Sequence, residues 1–170
     1  MNDRAQLHTL EGLVAAVLMT LTVLMITQST TIVTPQNELA VDVQLEQLSS
    51  DVLTVLDIAP QLAIQNNLTE CVANWSLTEA SYPSNNLEIL DSNLAALMGD
   101  TLYNVDLAYT EGNNLNVKRV IINGQPGENA VSVRHFVTIT NATVQSMNGG
   151  WNLADDEFKV VEVRMTAWKV

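Results

Sequence analysis

The sequence predicts an α+β fold in which a long N-terminal helix, first transmembrane and then a stalk, packs on a small antiparallel β-sheet. The first observation is a charge-free stretch of 26 residues from Gly12 to Asn37. The others are an apolar stripe at helical spacing just after it and period-two apolar patterns toward the C-terminus. We therefore divide the chain into a leader and transmembrane helix (1–34), an amphipathic stalk helix (35–58) and an extracellular α+β head domain (59–170).

The charge-free stretch has an almost wholly aliphatic core from Leu13 to Ile26. With its flanks it approaches the ~20 residues that a helix needs to cross ~30 Å of hydrocarbon. The residues that follow offer no small-residue cleavage site, which argues against removal as a secretory signal. We expect a single-pass protein of the cell membrane, with a cytoplasmic N-terminus and an extracellular C-terminal domain.

The stalk helix is predicted to begin at Pro35, because proline cannot continue a helix but suits the first turn of a new one. Its apolar residues recur at spacings of three and four: Val41, Leu45, Leu48, Val52 and Val55. Glu38, Asp42 and Glu46 form a separate acidic stripe, which mutual repulsion keeps solvated. We expect a β-sheet to cover the apolar stripe; a coiled coil is the alternative left open.

The head domain is predicted to contain one helix and an antiparallel sheet. Residues 61–86 are polar and are interpreted as a connection, with a helix left open in its early part. Apolar spacing predicts a helix over 87–102, ending near Gly99. Period-two patterns predict strands over 103–110, 116–122, 130–140 and 157–170. Trp168 falls on the opposite face from Val163, and we expect it to pack under a loop or helix.

The charge balance excludes some partners. The chain has 19 acidic and 7 basic residues with a pI near 4.2, and no Lys or Arg occurs from Ala5 to Val117. Because nucleic-acid binding depends on basic clusters that displace counterions, nucleic acid is excluded as a partner. Such an acidic surface predicts a halophilic protein, or else an ordinary acidic exported domain.

The residues needed for catalysis are sparse. The two histidines, His8 and His135, are far apart, Cys71 is the single cysteine, and no phosphate loop or zinc spacing occurs. We interpret the acidic run Asp155 to Glu157 as a solvated turn and not as a Ca²⁺ site. The sequence therefore predicts no catalytic, cofactor or metal site and no small-molecule substrate, so we expect a protein that is not an enzyme.

Three N-x-[ST] sequons mark candidate glycosylation sites at Asn67, Asn74 and Asn141. Asn67 and Asn74 lie in the polar connection and are expected to be the more accessible pair. Their number is close to what chance predicts for a chain this rich in Asn, Ser and Thr, so it is no sign of export by itself.

The residues from Arg4 to Gly12 (RAQLHTLEG) resemble the class III leader of archaeal type IV pilins and pilin-like proteins, and the opening of a group of small haloarchaeal proteins with β-rich C-terminal domains. The resemblance covers about residues 4–35. It implies leader processing between Ala5 and Gln6. It also implies an assembly role for Glu11, whose carboxylate would pair with the N-terminal amine of an adjacent subunit and set the register.

These observations predict a structural or accessory pilin-like membrane protein exposed on the cell surface, associated with or assembled into a type IV pilus-like filament. Its expected partners are membrane lipid and other pilin-like subunits or envelope proteins. The alternative is a single-pass, membrane-anchored extracellular binding module of an envelope complex that does not form filaments.

Overall fold

The computed structural model describes residues 3–29, 35–58, 66–81 and 84–169, with side chains of the first helix described over 11–26. The chain forms two compact units, Met1–Glu38 and Leu39–Val170. The elements in chain order are α1 (Asp3–Ser29), α2 (Pro35–Ile58), α3 (Leu68–Asn74), α4 (Glu88–Met98), β1 (Leu102–Glu111), β2 (Asn114–Ile122), β3 (Val131–Thr140), α5 (Asn141–Met147) and β4 (Phe158–Trp168).

The four strands form one antiparallel sheet in the order β2-β1-β4-β3. The β1/β2 register shifts between Val105 and Asp106, which marks a β-bulge. The predicted α+β class and antiparallel sheet are confirmed, and each predicted strand overlaps an observed one. The period-two apolar patterns made the strand predictions possible, because alternate side chains of a strand point to opposite faces of the sheet and only one face here is covered.

The covered face of the sheet, called the inner face, forms the core of the second unit together with α2, α3 and α4. From β3 and β4 it buries Val133, Val137, Ile139, Val161, Val163, Met165 and Ala167. The core residues of α4 are Leu90, Leu94 and Met98, and the Tyr103 hydroxyl on β1 donates to the backbone carbonyl of Asp91 at 2.8 Å. Trp168 is buried, and its ring lies close to Gly124 in the loop after β2, as expected for a Trp under a loop.

The buried stripe of α2 differs from the predicted one. Leu45, Ser49, Val52, Leu53 and Leu56 are buried. The remaining residues of the predicted stripe are exposed by 46%, 40% and 51%: Val41, Leu48 and Val55. At about 100° per residue, the exposed members lie on one side of Leu45 around the helix, and Ser49, Leu53 and Leu56 lie on the other side. The predicted stripe therefore ran along one edge of the face that meets the sheet.

Two short helices depend on local capping: α3, in the early part of the connection where a helix was left open, and α5, which was not predicted. The side chain of Asn67 accepts from the Glu70 backbone N at 2.8 Å, and Glu70 Oε2 accepts from the Asn67 backbone N at 3.0 Å, forming a capping box that starts α3. Thr140 caps α5 in a similar way through the Thr143 backbone N at 3.3 Å. The polar connection predicted over 61–86 therefore contains a helix.

The predicted long N-terminal helix is two helices, one ending at Ser29 and the next beginning at Pro35. No helix in the described part of the chain combines the length and the apolar character that a membrane crossing requires.

These findings correct three predictions. The transmembrane helix and the single-pass membrane localisation are wrong, because no described helix meets that requirement. The pilin-like architecture is wrong as well, because the helix packed on the sheet is the separate α2 and not the continuation of a membrane-spanning helix.

Candidate functional site

The first candidate surface consists of the exposed apolar side chains of α1 and is called the α1 surface. Its members are each 51–75% exposed: Leu13, Val14, Val17, Leu18, Met19, Leu21, Val23, Leu24, Met25 and Ile26. The hydroxyls of Thr20 and Thr22 do not interrupt it, because they donate to the carbonyls of Ala16 (2.6 Å) and Leu18. Residues 12–26 of the helix are thus apolar on every side, a composition typical of helices that are covered all round.

The residues that the pilin resemblance singled out all lie in α1. Ala5 and Gln6 are within its first turn, with helical backbone. Glu11 is exposed and lies eight residues after the helix begins, beyond the first turn in which the helix dipole acts. Its carboxylate is the one charge among residues 11–26. Processing at Ala5 and a register role for Glu11 stay predictions.

The second candidate surface is the uncovered face of the sheet, called the outer face. It carries large apolar side chains that are 46–65% exposed: Leu115, Val117, Phe136, Phe158 and Val160. One row of charged residues crosses all four strands beside them. Asp106 lies opposite Arg119 on β2 and opposite Arg164 on β4, and Arg164 lies opposite Arg134 on β3.

This charged row has an excess of positive charge. Arg164 binds the carboxylate of Glu162 with two bonds of 2.9 Å, and Arg134 Nε lies 3.4 Å from the same carboxylate. The hydrogen bonds from Arg164 lower the pKa of Glu162, and the same contacts raise the pKa of Arg164. Arg119 Nε pairs with Asp106 at 3.1 Å. Three guanidinium groups therefore share two carboxylates, and two of the arginines face each other directly, an arrangement that costs stability.

The third candidate surface is the solvent side of α2, called the α2 face. Its exposed apolar residues are Val41, Val43, Leu48, Val55 and Ile58. Asp51 is exposed among them, Glu46 is exposed on the neighbouring acidic stripe, and α2 contains no Lys or Arg. The α2 face and the outer face are thus both apolar, but they carry opposite charges.

The three sequons differ in accessibility. Asn67 and Asn74 are half-buried, whereas Asn141 is only 9% exposed. The side-chain nitrogen of Asn74 donates to the Asn86 carbonyl at 3.2 Å, and that of Asn141 donates to Asp155 at 2.9 Å. A glycan on Asn141 would have to displace this packed contact, so Asn67 and Asn74 are the better placed of the three. Glycosylation of each stays a prediction.

A hydrogen-bonded chain of Thr69, Asp57 and His135 joins α3, α2 and β3. Thr69 Oγ1 donates to Asp57 Oδ1 at 2.8 Å, and His135 Nε2 lies 3.0 Å from Asp57 Oδ2. The Asp57 carboxylate lies between the Thr69 hydroxyl and the His135 imidazole. A hydroxyl is activated as a nucleophile when the imidazole base contacts it directly, and here Asp57 separates the two. Among the described residues, no group of three or more His, Cys, Asp or Glu side chains could hold a metal ion. The Thr69–Asp57–His135 chain thus acts as a tie between elements.

Cys71 is 2% exposed, and its Sγ lies 3.7 Å from the Asn66 carbonyl. Burial, assisted by the charge of Glu70, raises the pKa of its thiol from 9.0 to about 12. Because the thiolate is the nucleophilic form, this cysteine is not an activated nucleophile.

We expect the Cys71 thiol to make the fold sensitive to alkali. Its pKa is raised in the folded state, so its contribution to stability is complete below pH 9 and is lost as pH rises toward about 12. Urea unfolding between pH 8 and 11 should show stability falling with pH for the wild type and a smaller fall for Cys71→Ala. An equal slope in both would contradict this assignment. Native Cys71 should also resist iodoacetamide at pH 8.

Comparison with known proteins gives a family and a relative. The chain is 32% identical over 173 residues to an uncharacterized protein of Archaeoglobus fulgidus, covering 99% of this chain and 94% of the relative. No solved structure matches the chain. The family carries no known function, so it lends no support to the halophilic, membrane and pilin-like interpretations, and these are withdrawn. Since the family model matches residues 4–167, the chain belongs to the family of unknown function DUF7288.

Proposed function

We propose that the protein is a non-catalytic structural subunit that assembles with further copies of itself through α1. The observation that carries the proposal is the α1 surface, ten large apolar side chains that are 51–75% exposed. Burying one Val, Leu, Ile or Met side chain contributes roughly 1.5–3 kcal/mol. A surface of this size strongly favours contact with other apolar surfaces over contact with water.

The distribution of these side chains supports a bundle of several helices over a simple pair. A helix with one apolar stripe is satisfied by one neighbour, whereas α1 is apolar all round and needs neighbours on several sides. The helix offers no charge between Gly12 and Ile26 that would select a different protein. Other copies of α1 supply the same apolar surface, and symmetric homo-oligomers are the commonest soluble assemblies.

Glu11 limits how the helices of such a bundle align. A carboxylate buried without compensation costs several kcal/mol, so registers that bury it among the aliphatic residues are disfavoured. Registers that keep it at the rim of the bundle, or opposite a positive group, are favoured. This supports the assembly role of Glu11 without requiring a membrane.

Two features of the second unit support a non-catalytic role. The Thr69–Asp57–His135 chain places the carboxylate between hydroxyl and imidazole, and Cys71 is a buried thiol with a raised pKa. Asp57, His135 and Cys71, the residues best suited to catalysis, thus hold structural elements together or lie in the core.

Replacing Leu18 by Glu is expected to reduce assembly of the full-length chain at least about tenfold in concentration, because a carboxylate in an apolar contact costs several kcal/mol. Sedimentation velocity over a range of protein concentrations measures the assembly, and electron microscopy shows whether it is a ring, a bundle or a filament. Leu18→Met keeps the apolar contact and should assemble like the wild type. Leu97→Glu, on the exposed side of α4, is the matched control for an added charge.

Two results would overturn the proposal. One is a wild-type chain that stays monomeric in aqueous buffer at high concentration. The other is a chain that floats with phosphatidylcholine vesicles as a monomer, which would mean that lipid and not a second copy covers the α1 surface.

A further inference from the structure

The outer face of the sheet has the properties of a contact surface, and its residues are distinct from those of the α1 surface. Helices α2, α3 and α4 form a layer with the inner face only, and the uncovered face of such an antiparallel sheet is ordinarily polar. The outer face presents Phe136 and Phe158, which are 63% and 65% exposed. Apolar side chains of this size grouped on one face mark a place where another layer binds.

The charge of the outer face narrows the choice of partner. The chain carries a formal net charge of −12, yet the charged row of the outer face has three arginines and two acids. Arg134 and Arg164 face each other directly in the β3/β4 register. Like charges opposite each other destabilise a sheet. Glu162 contacts both guanidinium groups and offsets part of this repulsion, and a carboxylate from a partner would offset the rest.

The α2 face has the complementary properties. It combines exposed Val41, Leu48 and Val55 with the carboxylate of Asp51, which lies three residues after Leu48 and four before Val55. A helix of this composition can place its apolar residues on Phe136 and Val160 and its carboxylate on the arginines. Within one copy, α2 packs on the inner face, and its Asp51 shares with Arg134 a groove at the edge strand β3. An α2 face that also covers Phe136 and Val160 on the outer face must come from another copy.

We propose that the outer face of one copy binds the α2 face of a second copy, with Arg134 and Arg164 receiving carboxylates such as Asp51. The two surfaces are different, so the interface is heterologous. Repetition of such a contact generates a ring or an open filament and not a closed pair. The inference deepens the proposed function of a structural subunit by adding a head-to-tail contact to the contact through α1.

Charge reversal tests the contact without harming the fold. Arg134→Glu loses the contact with Glu162 but gains an opposite charge facing Arg164, at an exposed position of the edge strand β3, so we expect the fold to be retained. Asp51→Arg changes an exposed position on α2. Each variant is expected to weaken the head-to-tail association constant at least about tenfold, since like charges across an interface cost several kcal/mol. Asp100→Arg, at an exposed position after α4, is the control for the same change in net charge.

The mixing experiment is decisive. The reversals are made in full-length chains carrying Leu18→Glu, which removes the α1 contact, and sedimentation velocity is recorded at 50 mM salt. The chain that carries Leu18→Glu alone, and the chain that carries Leu18→Glu with Asp100→Arg, should form head-to-tail oligomers that dissociate at 1 M salt. The Arg134→Glu and Asp51→Arg chains should each be monomeric. Their mixture should form oligomers again, because the intact outer face of one chain meets the intact α2 face of the other and the two reversed faces carry opposite charges.

The possible results separate this proposal from the one on α1. Reversals that leave association unchanged, a chain carrying Leu18→Glu alone that is monomeric, or a mixture that stays monomeric would each overturn the head-to-tail contact. If instead Leu18→Glu assembles like the wild type while the reversals act as expected, the α1 proposal fails and the head-to-tail contact stands. Circular dichroism of each variant confirms that the fold is retained.

Discussion

Gly149→Ala is expected to lower the free energy of unfolding by at least about 3 kcal/mol, near the top of the range for overpacking in a dense interior. A methyl group at this position would overlap the carbonyl oxygen of Ala73 and lie 2.9 Å from its carbonyl carbon. Both atoms belong to the backbone of α3, which cannot turn aside as a flexible side chain would. The same segment is fixed by a hydrogen bond from the Gly150 N to the Trp75 carbonyl at 2.9 Å.

Chemical denaturation followed by circular dichroism measures this loss. Gly127→Ala is the matched control, because its methyl would make only an ordinary contact of 3.9 Å with the Trp168 ring. We expect the control to change stability by less than about 1 kcal/mol. A Gly149→Ala chain as stable as the Gly127→Ala chain would show that the loop after α5 does not pack on α3.

The sheet could be predicted from the sequence because each strand carries its own signal. In β3, Val133, Val137 and Ile139 are buried while Arg134, Phe136 and Thr138 are exposed, as strict alternation requires. No knowledge of the neighbouring strands is needed to find such a segment. The outer face could not be predicted in the same way, since the row that brings Arg119, Asp106, Arg164 and Arg134 together depends on strand order and register.

The helices show what sequence patterns leave open. In α2, both Leu48 and Leu53 fit an apolar helical face, and only the position of the sheet decides that Leu53 is buried and Leu48 exposed. In α3, the signal was present as Asn67 followed three residues later by Glu70, but it lay in a polar segment without an apolar run. In α1, the apolar composition predicted that the helix is covered, but it could not identify the molecule that covers it.

Trp75→Ala is expected to lower the free energy of unfolding by about 3–5 kcal/mol, the usual cost of removing a buried aromatic side chain. Trp75 is fully buried, and its ring packs edge-to-face on Tyr109 at 5.9 Å and on Trp151 at 5.4 Å. Its Nε1 donates to the Thr78 carbonyl at 2.8 Å. The residue therefore joins the end of α3, strand β1 and the loop before β4.

Two further variants separate the ring from its hydrogen bond. Trp75→Phe keeps much of the aromatic packing but leaves the Thr78 carbonyl without its donor, so we expect a smaller loss of about 1–3 kcal/mol. Phe158→Ala removes an aromatic side chain that is 65% exposed and should cost less than about 0.5 kcal/mol. Urea unfolding followed by circular dichroism ranks the three. If Trp75→Ala cost no more than Phe158→Ala, the aromatic cluster would not hold α3 to the sheet, and the loop containing Gly149 would have no fixed surface to pack on.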